Sequence, residues 1–536
     1  MIRILTVIFV LCLFGSSAES AELLYTLVSP EPSYHGYFGG AVSGAGDINA
    51  DGYEDIIVGA EGEGQDGNAH IFNGRTGELL YSLTTPELYG SDIFGCSVAG
   101  PGDLNGNGFD DVVIGMDGTV PGDMVMVFDG ESGDLLWTLR SPAEDNYGEF
   151  GRKVATAGDV NNDGRQDFIV AARLEDSDLG TTLSGKAYVF SGNECQHLLT
   201  LTAPVEKQGA FFGSSISGAG DVNGDGYDDL IVGADSEDSD DGMVEQGGAY
   251  VFSGETGANI WTLESPIAHA YGYFGRSVAG IGDVNNDGFH DVAVAELGPS
   301  YEGLVHVYDG RTGEFIRTFM SPGDAASHFG TSMCGVPDIN GNGYGDILIG
   351  ALYDSPGTSP NLAGRAYLFD VATGELLSIF ISPNEQLEGY FGSTVAYIGD
   401  VNGDGMHDVI IGAEREEPDG APSYVGRSYV FSIGPVRGPQ ADHAIPNQLF
   451  LRAPRPHPVR RTATIEYYLA NPPKDTVELT LMDIGGKVVD HLSTEPKNMK
   501  SWNSIHWQND FIHSGLYLWR LKTGEAAVYQ PMVVIR

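Results

Sequence analysis

Positive charge, cysteine and long apolar runs are all scarce in this sequence. Only 27 Lys and Arg stand against 75 Asp and Glu in 536 residues, a formal net charge of −48. So acidic a chain repels a phosphate backbone, which argues against nucleic acid as a partner. The deficit is uneven: residues 445–536 carry 11 Lys/Arg and 8 Asp/Glu, a net of +3, which leaves −51 on the rest. Of the four cysteines, Cys12 lies in a leader-like segment, and Cys96, Cys195 and Cys334 are an odd number in scattered places, so no disulfide framework is implied. No stretch beyond the first 21 residues is apolar enough for a transmembrane segment. Catalytic motifs are also missing: there is no Gly-x-Ser-x-Gly, no His-Glu-x-x-His and no phosphate-binding glycine loop, so the chain reads as a non-enzyme.

Residues 1–21 have Arg3, an apolar run from Ile4 to Phe14, and small residues ending near Ala18 or Ala21. The run is too short to span a bilayer and reads as a cleaved secretory signal. The mature protein is expected to be exported.

What is abundant is glycine, aromatic residues and one repeated loop. Its clearest copy is Asp221-Val-Asn223-Gly-Asp225-Gly226-Tyr227-Asp-Asp229, with oxygen-bearing side chains at positions one, three, five and nine and Gly at six. The frame recurs as Asp47, Asn49, Asp51 and Asp55; Asp103, Asn105, Asn107 and Asp111; Asp159, Asn161, Asp163 and Asp167. It returns as Asp283, Asn285, Asp287 and Asp291; Asp338, Asn340, Asn342 and Asp346; Asp400, Asn402, Asp404 and Asp408. Alternate spacing aims these oxygens into one concavity, and the glycine allows the backbone reversal that wraps a hard cation such as Ca2+. Helix-flanked calcium loops need a carboxylate at position twelve. Here that place holds Val58, Ile114, Val170, Val232, Val294, Ile349 or Ile411, opening an apolar β-prone run. Up to seven structural Ca2+ ions are expected.

The first aspartates of successive loops lie 56, 56, 62, 62, 55 and 62 residues apart. Each period has a Phe-Gly pair, a short strand, the loop, an apolar strand and two more strands, which predicts four-stranded blades of an all-β, seven-bladed β-propeller. The seventh period lacks its fourth strand, and Leu23-Leu-Tyr-Thr-Leu27 matches Leu79-Leu-Tyr-Ser-Leu83, so the N-terminal segment is expected to close the ring and remove a free edge. Residues 22–432 form this unit and 433–445 a linker. Residues 446–536 lack the repeat and alternate like a small β-sandwich, as in Thr464-Ile-Glu-Tyr-Tyr-Leu469.

The Phe-Gly pair, the nine-residue loop and the following Val-Gly-Ala or Ile-Gly-Ala resemble the FG-GAP repeats of the integrin α-subunit propeller. That resemblance implies calcium held by positions one, three, five and nine, with the backbone carbonyl of position seven, here Tyr53, Phe109, Arg165, Tyr227, Phe289, Tyr344 and Met406. Asn107 and Asn342 at position five leave one carboxylate fewer, and weaker sites are expected there. The C-terminal part resembles the sorting domains of type IX secretion and the immunoglobulin-like module of flagellar hook-capping proteins. The matching stretches are Pro454-Arg-Pro-His-Pro458, Leu481-Met-Asp-Ile-Gly-Gly-Lys-Val-Val489 and Ser514-Gly-Leu-Tyr-Leu-Trp-Arg-Leu521. It implies a secreted or surface protein of a Gram-negative bacterium that engages export machinery.

The loops between second and third strands vary in length and share a face away from the cation loops, so a protein or glycan ligand is expected there. Tyr37, Phe211, Tyr273 and Tyr390, just before the Phe-Gly pairs, fall on that side. Packing is the plainer reading for them, and stacking on sugars the sharper one. The acidic stretches Glu175–Asp178, Asp235–Asp241 and Glu414–Glu417 read as solvated surface. An adhesion or binding module is the expected function. Two other readings stay open: a carbohydrate-active lyase or hydrolase with its site over the central channel, and a structural envelope or matrix component.

Overall fold

The computed structural model describes residues 21–434 apart from 87–92, 119–122, 144–146, 179, 240–241, 268, 299–300, 324–325, 356–361 and 418–422. Beyond these it describes 449–451, 462–469, 477–483, 487–494, 502–509, 515–523 and 526–534. The predicted leader, but for Ala21, and nearly all of the linker lie outside the described residues.

Every regular element among the described residues is a strand. Sheet 1 is built in chain order from Ala41–Gly46, Asp55–Ala60, Asn68–Phe72 and Leu79–Leu83, all antiparallel. Five further sheets repeat that order, and we number them 2 to 6 along the chain. Sheet 7 takes Phe391–Tyr397, His407–Ala413 and Arg427–Ile433, and its fourth strand is the N-terminal Glu22–Leu27. Leu23 lies opposite Phe431 and Leu27 opposite Ser428.

Burial follows strand position. The second and third strands of sheet 1 are buried along their whole length, as continuous apolar runs such as Asp55-Ile-Ile-Val-Gly-Ala60 require. The fourth strand faces solvent on one side, with Leu79 exposed and Leu83 buried. Each first strand packs against the next, and the first strand of sheet 7 packs against that of sheet 1. Leu27 and Val430 of sheet 7 share a core with Phe38 and Ile56 of sheet 1. This is a β-propeller arrangement.

The sequence motif follows from how sheets meet. A Cβ on Gly59 would lie 2.1 Å from the Gly95 carbonyl oxygen of sheet 2, and one on Gly412 would lie 2.2 Å from that of Gly39 in sheet 1. The glycine of each Val-Gly-Ala or Ile-Gly-Ala therefore makes room for the Phe-Gly backbone of the neighbouring sheet. The phenylalanines of that pair are buried at Phe38, Phe94, Phe150, Phe212, Phe274, Phe329 and Phe391. They meet the end of their own third strand edge-on, as Phe212 does Phe252 at 5.8 Å and 90°. Burying one such ring contributes about 1.5–3 kcal/mol.

In the C-terminal part, one sheet pairs Leu449–Leu451, Thr462–Leu469 and Trp502–Gln508, and another pairs Val488–Thr494, Val477–Asp483, Gly515–Thr523 and Ala526–Val534. Trp507 of the first meets Trp519 of the second edge-on at 5.7 Å, both buried.

Candidate metal loops and an aromatic face

Each nine-residue loop joins the first and second strands of its sheet, so all seven lie at one end of the sheets. Gly at position six has φ between +81° and +93° in every copy, a conformation that strains any other residue. At Gly226 a Cβ would meet nothing within 4 Å, so backbone conformation rather than space requires the glycine.

The loop in sheet 4 gives the pattern. Asp221 Oδ1 accepts from the Gly224 and Asp225 amides at 2.6 and 3.2 Å, and its Oδ2 from Gly226 at 3.0 Å. Asn223 Oδ1 accepts from Asp225 N at 2.9 Å and Asp225 Oδ1 from Tyr227 N at 3.0 Å. Positions one, three and five thus pin the turn through their oxygens. Position nine is different. Asp229 is fully buried, accepts from Val222 N at 3.0 Å, and reaches the turn between strands three and four through Gly254 N at 3.0 Å. The same double bond recurs at Asp55, Asp111, Asp167 and Asp291. Asp346 and Asp408 keep the first bond, to Ile339 N and Val401 N, while their Oδ1 atoms are buried without a partner.

Burial pushes the position-nine carboxyls up, opposed by the backbone amides and reinforced by nearby carboxylates. They rise to about 7 at Asp55, Asp229 and Asp291 and about 6 at Asp111, Asp167 and Asp408. Asp346 rises to about 8, with Asp370 and Asp338 adding to the burial effect. An all-oxygen donor set around a buried, mutually repelling carboxylate suits a hard divalent cation. Among the described residues no three His, Cys, Asp or Glu side chains converge as a metal-binding group, since the loop oxygens face their own amides.

Position-seven side chains do something the sequence did not suggest. They lean on the preceding loop: Arg165 donates to the Asp103 carbonyl at 2.6 Å, while Tyr53 lies against Gly403 and Phe289 against Gly224. Position eight also bridges sheets, for Asp110 Oδ2 accepts from Asp47 N at 2.7 Å and Asp228 Oδ2 from Asp159 N at 2.8 Å.

At the other end, the residue before the Phe-Gly pair has φ between +51° and +58° at Tyr37, Glu149, Phe211, Tyr273, His328 and Tyr390. Aromatic rings there form a continuous arc. Tyr34 stacks on His35 at 4.0 Å, and His35 meets Tyr37 and Tyr424 at 5.6 and 5.2 Å. The Arg415 guanidinium sits over Tyr424 and Tyr390 at 5.3 and 4.5 Å. Tyr390 contacts Tyr353 at 5.1 Å, Tyr353 contacts His328 at 4.3 Å, and His328 stacks near Tyr301 at 6.4 Å. Tyr34 and Tyr301, at its ends, are 64% and 58% exposed. Phe211 and Tyr273 stand apart from the arc, under Arg173 and bonded to Glu245 respectively.

The acidic stretches are not simply solvated, contrary to expectation. Glu175, Glu237 and Glu416 are buried and accept from the hydroxyls of Tyr188, Tyr250 and Tyr429. A carboxylate with a hydrogen-bonded phenol can stay inside, where a free one would not. The spacing of thirteen residues is constant and was a signal available in the sequence. His70–Glu63 at 2.7 Å and His306–Glu296 at 3.1 Å are fully buried pairs, out of reach of a substrate. No helix among the described residues is long and apolar enough to cross a membrane.

A family model described as FG-GAP repeat matches residues 38–72, 150–190, 212–252, 274–308 and 329–369. Integrin alpha-4 of Xenopus laevis is 34% identical over 178 residues, 31% of this chain and 17% of that protein. Integrin alpha-5 of Xenopus laevis is 31% identical over 257 residues, 46% of this chain and 23% of its own length. Integrin alpha-IIb of Mus musculus is 35% identical over 184 residues, 32% and 17% respectively. These matches span about a fifth of the relatives' length. The chain carries FG-GAP repeats and is homologous in part to integrin α subunits, and no enzyme family is indicated.

Proposed function

We propose that this chain, as a carrier of FG-GAP repeats with integrin α homology, is an exported seven-bladed β-propeller that binds Ca2+ in its loops and a protein or glycan ligand on the opposite face. The observation that carries the reading is the arc from Tyr34 to Tyr301, which spans four sheets with exposed rings at both ends and Arg415 in its middle. Such surfaces supply rigid contact area with a polar handle. Adhesion at a bacterial surface is the function we assign to it.

Calcium would be held by positions one, three, five and nine of each loop with the carbonyl at seven, and when bound it offsets the buried position-nine charge. The role is structural, because position nine ties the loop to the turn of the same sheet. The C-terminal sheets we take as an immunoglobulin-like sandwich serving export, supported by the facing Trp507 and Trp519.

The test is a screen of the full chain in calcium against glycan and matrix-protein panels, repeated with Tyr34→Ala/Tyr301→Ala. Saturable binding by the wild type, weakened at least tenfold in a variant that melts like the wild type, is expected. Binding that ignores both substitutions, or no binding by the folded protein, removes the adhesion reading.

A further inference from the structure

The loops of sheets 2 and 6 have Asn at position five, and their turns between strands three and four carry something in exchange. In sheet 1, Asn73 of that turn donates through Nδ2 to Asp51 Oδ2 at 2.8 Å. In sheet 2 the same bond runs the other way, from Asn107 Nδ2 to Asp129 Oδ2 at 2.9 Å. Sheet 6 repeats the reversal, from Asn342 Nδ2 to Asp370 Oδ2 at 2.9 Å. The turn position is Ser191, Ser253 or Ser432 in sheets 3, 4 and 7, where position five keeps its aspartate. Amide and carboxylate have changed places, and the pair still carries one negative charge.

The exchange also sets the amide. With Nδ2 engaged by Asp370, Asn342 directs Oδ1 into the loop, where it accepts from Tyr344 N at 2.8 Å, as an aspartate oxygen does elsewhere. A second observation points to a missing partner at this place. Asp346 is fully buried, its Oδ1 has no hydrogen bond, and Asp370 is itself only 3% exposed. A fully buried carboxylate with an unpartnered oxygen, beside a second buried carboxylate, calls for a cation.

We infer that the third negative charge of the sheet 6 cation site resides on Asp370, and that of sheet 2 on Asp129, so these loops are not the weak ones. Both act as positioning residues that hold the position-five amide oxygen toward the ion and supply its charge from behind. Sheet 5 has aspartate in both places, Asp287 and Asp309, with Asn285 Nδ2 bonded to Asp309 and Asp291 at 3.2 Å each. Over positions one, five and nine and the turn it therefore has one carboxylate more than any other sheet, and it binds most tightly. This inference rests on the calcium reading above.

The experiment is calcium titration of the full chain by equilibrium dialysis, counting ions per chain at fixed free calcium. Asp370→Asn should weaken one site by roughly tenfold, and the charge swap Asn342→Asp/Asp370→Asn should restore it. Asn342→Asp alone should tighten that site toward the behaviour of sheet 5, while Ser253→Ala leaves every site unchanged. Unaltered binding by a folded Asp370→Asn chain, or failure of the swap to restore the count, overturns the inference and leaves calcium binding standing. If Asp370→Asn does not fold, the swap and Asn342→Asp decide alone, and a lower ion count in either overturns it. A wild type that takes up no calcium removes the underlying reading instead.

Discussion

At the scale of single residues, the same amino acid does different work at different loop positions. Asp221 pins its own turn, whereas Asp229, eight residues on, is buried and joins loop to turn across the sheet. The sequence makes both legible as oxygen donors but cannot rank their burial, because that depends on strands that come later in the chain. The arc was legible only in part. Tyr37 and Tyr390 stand out beside Phe-Gly, yet Tyr353 and Tyr424 reach the arc from the second-to-third-strand loops of sheets 6 and 7, and Tyr34 joins it by stacking on His35. His328 gives this scale its prediction. Burial, helped by Arg276, holds its imidazole down at about 4, and Nδ1 has no partner. The fold favours the neutral ring, so its contribution is complete above the unfolded value of about 6.5 and is lost as pH falls from there toward 4. Because the ring is only partly buried, solvent screening reduces the effect to about 1–2 kcal/mol. Melting wild type and His328→Phe side by side from pH 7.5 to 4 should therefore find the wild type losing ground below pH 6.5; parallel curves would contradict the assignment.

At the scale of elements, sheets are fitted to one another by glycine. The repeat was readable because the nine-residue loop and the apolar second strand keep one internal frame, although successive copies lie 55 to 62 residues apart. What was not readable is why Gly alternates with Ala there, since the reason is a carbonyl from another sheet. A Cβ on Gly233 would lie 2.0 Å from the Gly275 oxygen, and Ser215 Oγ already donates to that oxygen at 2.6 Å. Sheets 3 and 5 have Ala171 and Ala295 at the equivalent place, so the contact is adjusted sheet by sheet. Gly233→Ala should cost about 1–3 kcal/mol through overpacking. Denaturant midpoints are the check, and a loss below ~0.5 kcal/mol would mean the sheets can part without penalty.

At the scale of the whole molecule, charge and cation act together. A net of −48 repels itself in the folded state, and the seven loops concentrate part of it at one end. Chelation at neutral pH should lower the melting temperature, since each site held at a hundredfold its dissociation constant contributes about 2.7 kcal/mol. Raising ionic strength should recover part of that loss by screening the exposed charges. Calorimetry with and without chelator decides, and an unchanged melt after verified metal removal would count against a stabilising cation.

Sheet 7 also sets an order of events. Leu23 and Phe431 sit side by side although roughly 400 residues separate them, so loop-closure entropy makes their pairing a late step. Until residues 427–433 have been made, Glu22–Leu27 has no partner strand, and the three strands of sheet 7 in turn await it. A chain crossing a membrane N-terminus first would therefore carry its fastener in front and its receptacle far behind. The finished ring is a record that the whole passage is over.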